Sequence, residues 1–284
     1  MSSERTGIGA WVKRYPLLSY YALAFALSWG AMLLVIGGPR AIPGDRTQIE
    51  RLMPVAVVAL LLGPSIAGLL LTGVLCGRAG LRELGSRLVR WRVAARWYAV
   101  ALLTAPVATL AILLALSLLS PVFLPRIVTS SDRASLVRLA AGTVLFGGLL
   151  EEIGWTGFVT PRLRRRHGLW GAGLMAGILW AAWHFPINLW WSGGNAGELR
   201  LSLFVPLYLL GGVGQLTAYR VLMTWVYDRT ESVLLATLMH GSLIASTAVP
   251  ILVPPTTGGA FLAWFMASAA AFWAVVAIAR RVSR

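Results

Sequence analysis

The sequence is poor in charged residues, in cysteine and in histidine, and each scarcity excludes a class of protein. Only 12% of its 284 residues are charged, whereas soluble domains carry about a quarter. A single cysteine, Cys76, excludes an internal disulfide and a CxxC metal or redox site. With three histidines and no HExxH motif, the chain has no candidate for a standard zinc peptidase helix.

Long apolar runs occupy most of what remains. The chain is 58% hydrophobic, with a mean hydropathy of +0.75. Runs of about 20 apolar residues separated by short basic loops are typical of an all-α polytopic membrane protein. We expect one membrane domain over residues 1–284, with about eight transmembrane helices. The predicted spans are residues 17–36, 53–76, 97–119, 134–158, 169–191, 201–227, 233–253 and 259–279.

The net charge of +15 comes from residues in the loops and tails. Most basic residues fall in alternate loops, and the positive-inside rule then places both termini in the cytoplasm. An attraction to the lipid bilayer accounts for this charge, and no nucleic-acid-binding motif occurs. We therefore expect an integral protein of the cytoplasmic membrane and no nucleic-acid partner.

Very few ionisable residues fall inside the spans. Eight of the ten acidic residues lie in loops, tails or span edges, which leaves Glu151 and Glu152 in span 4. His184 lies in span 5, His240 in span 7, and Arg220 well inside span 6. One such residue alone is readily explained as a hydrogen-bonded or ion-paired structural group. The two glutamates and two histidines together favour a function, since an ionisable group at membrane depth costs roughly 2.5–3.5 kcal/mol.

Three ordered motifs carry a family resemblance: EEIGWTGF at 151–158, WAAWHFP at 180–186 and LMHGSL at 238–243. The chain resembles the CPBP family of intramembrane proteases, which includes type II CAAX prenyl endopeptidases and bacteriocin-processing Abi proteins. The resemblance covers about residues 135–250 and agrees with eight helices. It implies hydrolysis of peptide bonds in a membrane protein or peptide substrate.

The resemblance also implies roles for the residues. Glu151 would be the general base that activates water, with Glu152 beside it, while His184 and His240 would position the water or stabilise the oxyanion. Low dielectric strengthens a carboxylate as a base and fixed donors as oxyanion ligands. Glu152, His184 and His240 are also a donor set for Zn²⁺ or another divalent metal. The sequence leaves metal-dependent and metal-free mechanisms both open.

The chain departs from the family pattern at two positions. Many members have arginine where this chain has Thr156, so we expect Arg220 to pair with Glu152 instead. Members often have Asn or Asp where this chain has Ile244, and Asn188 or Ser242 is then the expected substitute.

Two alternatives belong to other functional classes. A catalytically weak scaffold or immunity protein of the same fold would be consistent with Thr156 and Ile244. A proton-coupled transporter would use buried Glu and His residues as a relay, but it predicts inverted repeats, which the sequence does not show. Mutation of Glu151 separates the three functions. A protease would lose cleavage, a transporter would lose flux, and a scaffold would lose neither. The sequence does not address the oligomeric state.

Overall fold

The computed structural model describes residues 7–247, 252–254 and 256–283, and it is helical almost throughout these ranges. Short 3₁₀ turns cover Pro39–Ala41 and Pro121–Phe123, and a π-helical turn covers Trp155–Val159. The α-helices are α1 Ile8–Arg14, α2 Pro16–Ile36, α3 Arg46–Leu88, α4 Ala95–Ser117, α5 Arg126–Thr129, α6 Arg133–Phe146, α7 Leu149–Gly154, α8 Thr160–Trp183, α9 Phe185–Asn195, α10 Leu201–Thr230, α11 Val233–Thr247 and α12 Gly258–Val282.

These helices confirm an all-α polytopic membrane fold. Within the described ranges, six helical stretches are long and apolar enough to cross a membrane, and α11 is a shorter apolar helix. The stretches are Pro16–Ile36, Arg46–Leu88, Ala95–Ser117, Arg133–Trp183, Leu201–Thr230 and Gly258–Val282. The count of eight spans and the cytoplasmic termini stay predictions. Residues 248–251 of predicted span 7, and Arg5 and Arg284 of the charged tails, lie outside the described residues.

Glycine breaks divide two of these stretches. Gly168 has φ 66°, in the left-handed region that favours glycine, and it divides α8 between predicted spans 4 and 5. Gly77 has φ 61° and divides α3 in the same way, so Arg78–Leu88 forms a separate helical segment after the break. Both segments near these breaks are rich in arginine.

Predicted span 4, residues 134–158, lies within one helical stretch but is divided into shorter elements. The helix is interrupted at Gly147 and Gly148, and α7 then leads into the π-helical turn. Glycine at 148 permits a close approach, because a Cβ atom there would lie 2.7 Å from the Cβ of His240. The break therefore brings α7 against α11. π-Helical turns inside α-helices occur frequently at functional sites.

The predicted span 169–191 also consists of two helices. α8 ends at Trp183, His184 lies at the junction, and α9 begins at Phe185 with Pro186 in its first turn. Proline is compatible with the first turn of a helix but not with its interior, which explains a new helix start at this point.

Close packing of α8 on α10 sets the position of the site. At Gly173 an added Cβ would lie 2.9 Å from the Cα of Val221, and at Gly177 it would lie 2.7 Å from the Cα of Thr217. Small residues let membrane helices approach in this way. As a result, Arg220 on α10 and Trp180 on α8 are neighbours. α10 also packs on α12, α2 on α3, and α11 on α4 and α6.

Candidate active site

The two adjacent glutamates of α7 are both buried, with exposures of 2% for Glu151 and 0% for Glu152. They are neighbours in sequence, so their side chains leave the helix about 100° apart. The structure places them in different environments. Glu151 borders a cavity, whereas Glu152 is surrounded by protein donors.

Glu152 is held by donors from three elements. Arg220 donates from Nη1 to Oε2 at 2.7 Å and from Nη2 to Oε1 at 2.8 Å, which is a bidentate ion pair. His240 Nδ1 lies 2.8 Å from Oε1, and the Thr156 hydroxyl donates to Oε2. Because both carboxylate oxygens accept charge-assisted hydrogen bonds, Glu152 is fixed in one orientation.

Arg220 is itself fully buried, and its guanidinium carbon lies 4.1 Å from the ring centroid of Trp180. The guanidinium is thus held between a carboxylate and an aromatic face, an arrangement that suits arginine better than lysine. Removing either charge of such a buried pair leaves the other without compensation.

Glu151 has one strong donor and one nearby imidazole. Trp180 donates from Nε1 to Oε2 at 2.6 Å, and His240 Nε2 lies 3.7 Å from Oε1. Oε1 therefore has no protein group within normal hydrogen-bond distance in the described residues, on a carboxylate that borders the cavity. This is the position from which a carboxylate can accept a proton from water.

His240 on α11 joins the two glutamates. A carboxylate only accepts hydrogen bonds, so its contact with Glu152 places a proton on Nδ1. The second nitrogen, Nε2, then faces Glu151. The imidazole packs edge-on against Trp180, at 5.0 Å between ring centroids and an interplanar angle of 90°.

His184 occupies the junction between α8 and α9. Its Nδ1 lies 2.8 Å from the carbonyl oxygen of Trp180, which again assigns the proton to Nδ1. The ring packs edge-on against Trp180 and Trp183, at 5.3 and 4.7 Å between centroids. His184 and His240 thus approach the same cavity from different helices.

The cavity has a volume of about 570 Å³. Polar groups at its wall include Glu151, both histidines, Asn188 and Gln215. Most other lining residues are apolar or aromatic and come from α3, α9, α10, α11 and α12. They are Ile49, Met53, Val57, Leu60, Leu61, Ile187, Trp191, Tyr208, Leu216, Leu243, Ile244, Phe261, Trp264 and Phe265.

The predicted supporting residues lie in different places. Thr156 and Arg220 both contact Glu152, and Asn188 lines the cavity, where its Oδ1 accepts from the Tyr208 hydroxyl at 3.2 Å. The prediction for Ser242 is wrong. Two residues beyond His240, its side chain leaves α11 about 200° away, and its hydroxyl donates to the Leu102 carbonyl of α4 at 2.9 Å.

Trp180 was missed as a site residue, although it contacts Glu151, Arg220 and both histidines. The available signal was its spacing, because Trp180 lies four residues before His184 and so on the same helix face. Tyr208 and Gln215 were also missed. No sequence pattern distinguishes them from the other residues of α10.

The predicted metal ligands do not fit as a set. The two oxygens of Glu152 already accept hydrogen bonds from Arg220, His240 and Thr156, and the Nδ1 of His240 points at Glu152. Over residues 7–247, 252–254 and 256–283, no three His, Cys, Asp or Glu side chains converge to hold a metal ion. Glu152 is therefore not placed as a metal ligand.

Comparison with known proteins matches the segment that contains this site. Residues 133–246 match the family of type II CAAX prenyl endopeptidases described as Rce1-like. A CAAX prenyl protease 2 of Methanococcus maripaludis is 26% identical over 98 residues. The match spans about a third of each protein, 34% of this chain and 35% of the relative. Glu151, Glu152, His184 and His240 all lie within residues 133–246.

Proposed function

We propose that this chain is an intramembrane endopeptidase of the CPBP family. Its motifs and the Rce1-like match support that membership. It hydrolyses peptide bonds of membrane-associated substrates. The observation that carries the proposal is the environment of Glu151. This buried carboxylate lies at a cavity wall between the Trp180 indole and the His240 imidazole.

Glu151 acts as the general base in the proposed reaction. A water at the cavity wall gives a proton to its Oε1, and the water oxygen bonds to the carbonyl carbon of the scissile peptide. The carbonyl π bond breaks, and its electron pair becomes the oxyanion of a tetrahedral intermediate. When that intermediate collapses, the C–N bond breaks and Glu151 returns the proton to the leaving amine. The net result adds one water across one peptide bond.

The two histidines have separate roles in this proposal. The neutral imidazole of His184 donates from Nδ1 to Trp180, so its Nε2 lone pair accepts a hydrogen bond from the attacking water. His240 stabilises the oxyanion by donating from Nε2, which requires the imidazolium form.

Glu152 and Arg220 act through His240. The carboxylate accepts from Nδ1 and so directs Nε2 toward Glu151, as carboxylates orient imidazoles in other hydrolases. Arg220 compensates the charge of Glu152 and holds it in place. Both are positioning residues, because the cavity wall does not include them.

The proposed reaction needs no metal. Its base, its water-positioning group and its oxyanion donor are all side chains of this chain. The engagement of Glu152 with three donors supports this choice over a Zn²⁺ site built on that carboxylate. The location is proposed to be the cytoplasmic membrane, with both termini on the cytoplasmic side.

Terminal-peptide mass spectrometry of membranes from native cells tests the function. Wild type is compared with Glu151→Gln at equal protein levels. Glu50→Gln is the matched control, because Glu50 lines the same cavity but is largely exposed and pairs with Arg46 at 2.9 Å. New peptide ends should appear with wild type and the control and disappear with Glu151→Gln. Identical profiles for all three would contradict proteolysis and favour a scaffold or transport function.

A further inference from the structure

A second pocket of about 330 Å³ lies apart from the proposed active site. It is formed by the Arg78–Leu88 segment of α3 with Arg90 just after it, the first two turns of α8 and the C-terminal end of α10. Its lining is polar: four arginines, two glutamates, one tyrosine and one proline. They are Glu83, Arg87, Arg90, Pro161, Arg164, Arg165, Tyr227 and Glu231.

Three of these arginines lie within salt-bridge distance of a carboxylate, the longest contact being the 3.7 Å between Arg87 Nε and Glu83 Oε1. Arg90 Nη1 lies 2.9 Å from Glu231 Oε2, and Arg164 Nε lies 2.5 Å from an Asp228 oxygen. With Asp228 counted beside Arg164, these groups comprise four arginines and three carboxylates, a net charge of +1. In addition, no carboxylate lies within salt-bridge distance of Arg165 in the part of the chain that the structure describes.

Arg87 is the least exposed of the four arginines, with a side-chain exposure of 12%. It donates from Nη1 to the Tyr227 hydroxyl at 2.8 Å. Its buried Nε has no hydrogen-bond partner among the described residues, and the nearest glutamate oxygen, on Glu83, lies 3.7 Å away. A buried donor without a partner costs free energy, so the pocket gains stability from an added acceptor.

The surroundings indicate where that acceptor comes from. Large apolar side chains within two residues of the lining residues in sequence are exposed, including Leu81, Val89 and Trp91. The predicted topology puts this end of α3, α8 and α10 at the cytoplasmic membrane surface. Arginine clusters at that surface bind anionic lipid headgroups, and guanidinium groups bind phosphate oxygens in bidentate fashion.

We propose that this pocket binds a phosphate group, supplied by the headgroup of an anionic phospholipid. Arg87 and Arg165 are its principal ligands, and the acyl chains lie along the adjacent apolar surface. The site is independent of Glu151. A bound lipid headgroup would connect the α3 segment after Gly77 and the α8 segment before Gly168 to the C-terminal end of α10.

Native mass spectrometry of the full chain in neutral detergent tests this site. The protein is titrated with phosphatidylglycerol and, separately, with phosphatidylcholine. Arg165→Gln is compared with Arg166→Gln, a matched control, since both arginines are exposed and adjacent but Arg166 does not line the pocket. We expect wild type and the control to retain one phosphatidylglycerol in preference to phosphatidylcholine. Arg165→Gln should bind it about fivefold more weakly, and Arg87→Gln/Arg165→Gln about thirtyfold more weakly.

A soluble headgroup separates the two sources of phosphate. Binding of glycerol 3-phosphate is measured by calorimetry on the same variants. Residue-dependent binding of the lipid but not of glycerol 3-phosphate supports the lipid, whereas tight residue-dependent binding of both supports a soluble phosphate ligand. If Arg165→Gln and Arg166→Gln bind every probe equally, the site is overturned. Unfolding midpoints of all variants check that a loss of binding is not a loss of fold.

Discussion

Arg220 of α10 donates two hydrogen bonds, of 2.7 and 2.8 Å, to the carboxylate of Glu152 on α7, and both side chains are fully buried. Their sequence separation is 68 residues. The pair leaves Glu151, the adjacent residue, as the carboxylate that borders the cavity. In the proposed mechanism, Glu152 is therefore a positioning residue and Glu151 is the general base.

The Glu152–Arg220 pair should show strong energetic coupling. Glu152→Gln and Arg220→Met each leave one buried charge uncompensated, so each should lower the free energy of unfolding by about 3–5 kcal/mol. The double variant should lose less than the sum of the two. A double-mutant cycle on unfolding in mixed micelles measures this, with the exposed pair Arg90–Glu231 as a control expected to couple by at most about 1 kcal/mol. Additive losses at the buried pair would contradict the assignment.

Thr156 and Arg220 should behave as alternatives. Arg220 Nη1 lies 3.5 Å from the Thr156 hydroxyl oxygen, so Thr156→Arg alone brings a second guanidinium into an occupied space. We expect a loss of about 1–3 kcal/mol from overpacking, with charge repulsion added. Thr156→Arg/Arg220→Met should recover stability relative to Thr156→Arg, as thermal unfolding would show. A further loss in the double variant would mean that the two positions do not share one site.

The indole of Trp180 should matter through its N–H. Trp180→Phe keeps a ring against His240 and Arg220 but removes the donor to Glu151. Loss of a hydrogen bond to a charged group costs about 1.5–3 kcal/mol, so kcat/KM should fall about 10- to 150-fold. Trp183→Phe is the control, because the Trp183 Nε1 has no partner in the described part of the chain. Equal losses in both variants would show that ring packing, and not the hydrogen bond, is what matters.

Metal removal should leave activity intact. The purified protein is treated with a chelator, dialysed, and assayed alongside elemental analysis for zinc and other divalent metals. We expect sub-stoichiometric metal and an unchanged rate, since both oxygens of Glu152 are engaged by protein donors. Loss of activity that added Zn²⁺ restores would contradict the metal-free mechanism.

The sequence was sufficient to predict which residues could converge. Glu151, Glu152, His184 and His240 were identified because little else that is ionisable lies in the apolar runs. Helical periodicity also explains why Asn188 reaches the cavity and Ser242 does not. Asn188 lies one turn from His184 and lines the cavity, whereas Ser242 lies two residues from His240 and faces α4.

Other features depend on tertiary contacts and left no local signal. The interruption at Gly147 and Gly148 reflects the approach of α7 to His240, which is not visible in an apolar run that contains glycine. The π-helical turn after Gly154 is likewise a feature of packing. Tyr208 and Gln215 reach the cavity only because α10 passes beside it.

The most direct test of the central claim is the cleavage rate of purified protein in liposomes. The substrate is the peptide identified by terminal-peptide mass spectrometry, and wild type is compared with Glu151→Gln and Glu50→Gln. Removal of the general base should lower the rate by about 10²- to 10⁴-fold, while the control stays within a few fold of wild type. Cleavage by Glu151→Gln at a rate close to that of wild type would show that Glu151 is not the base.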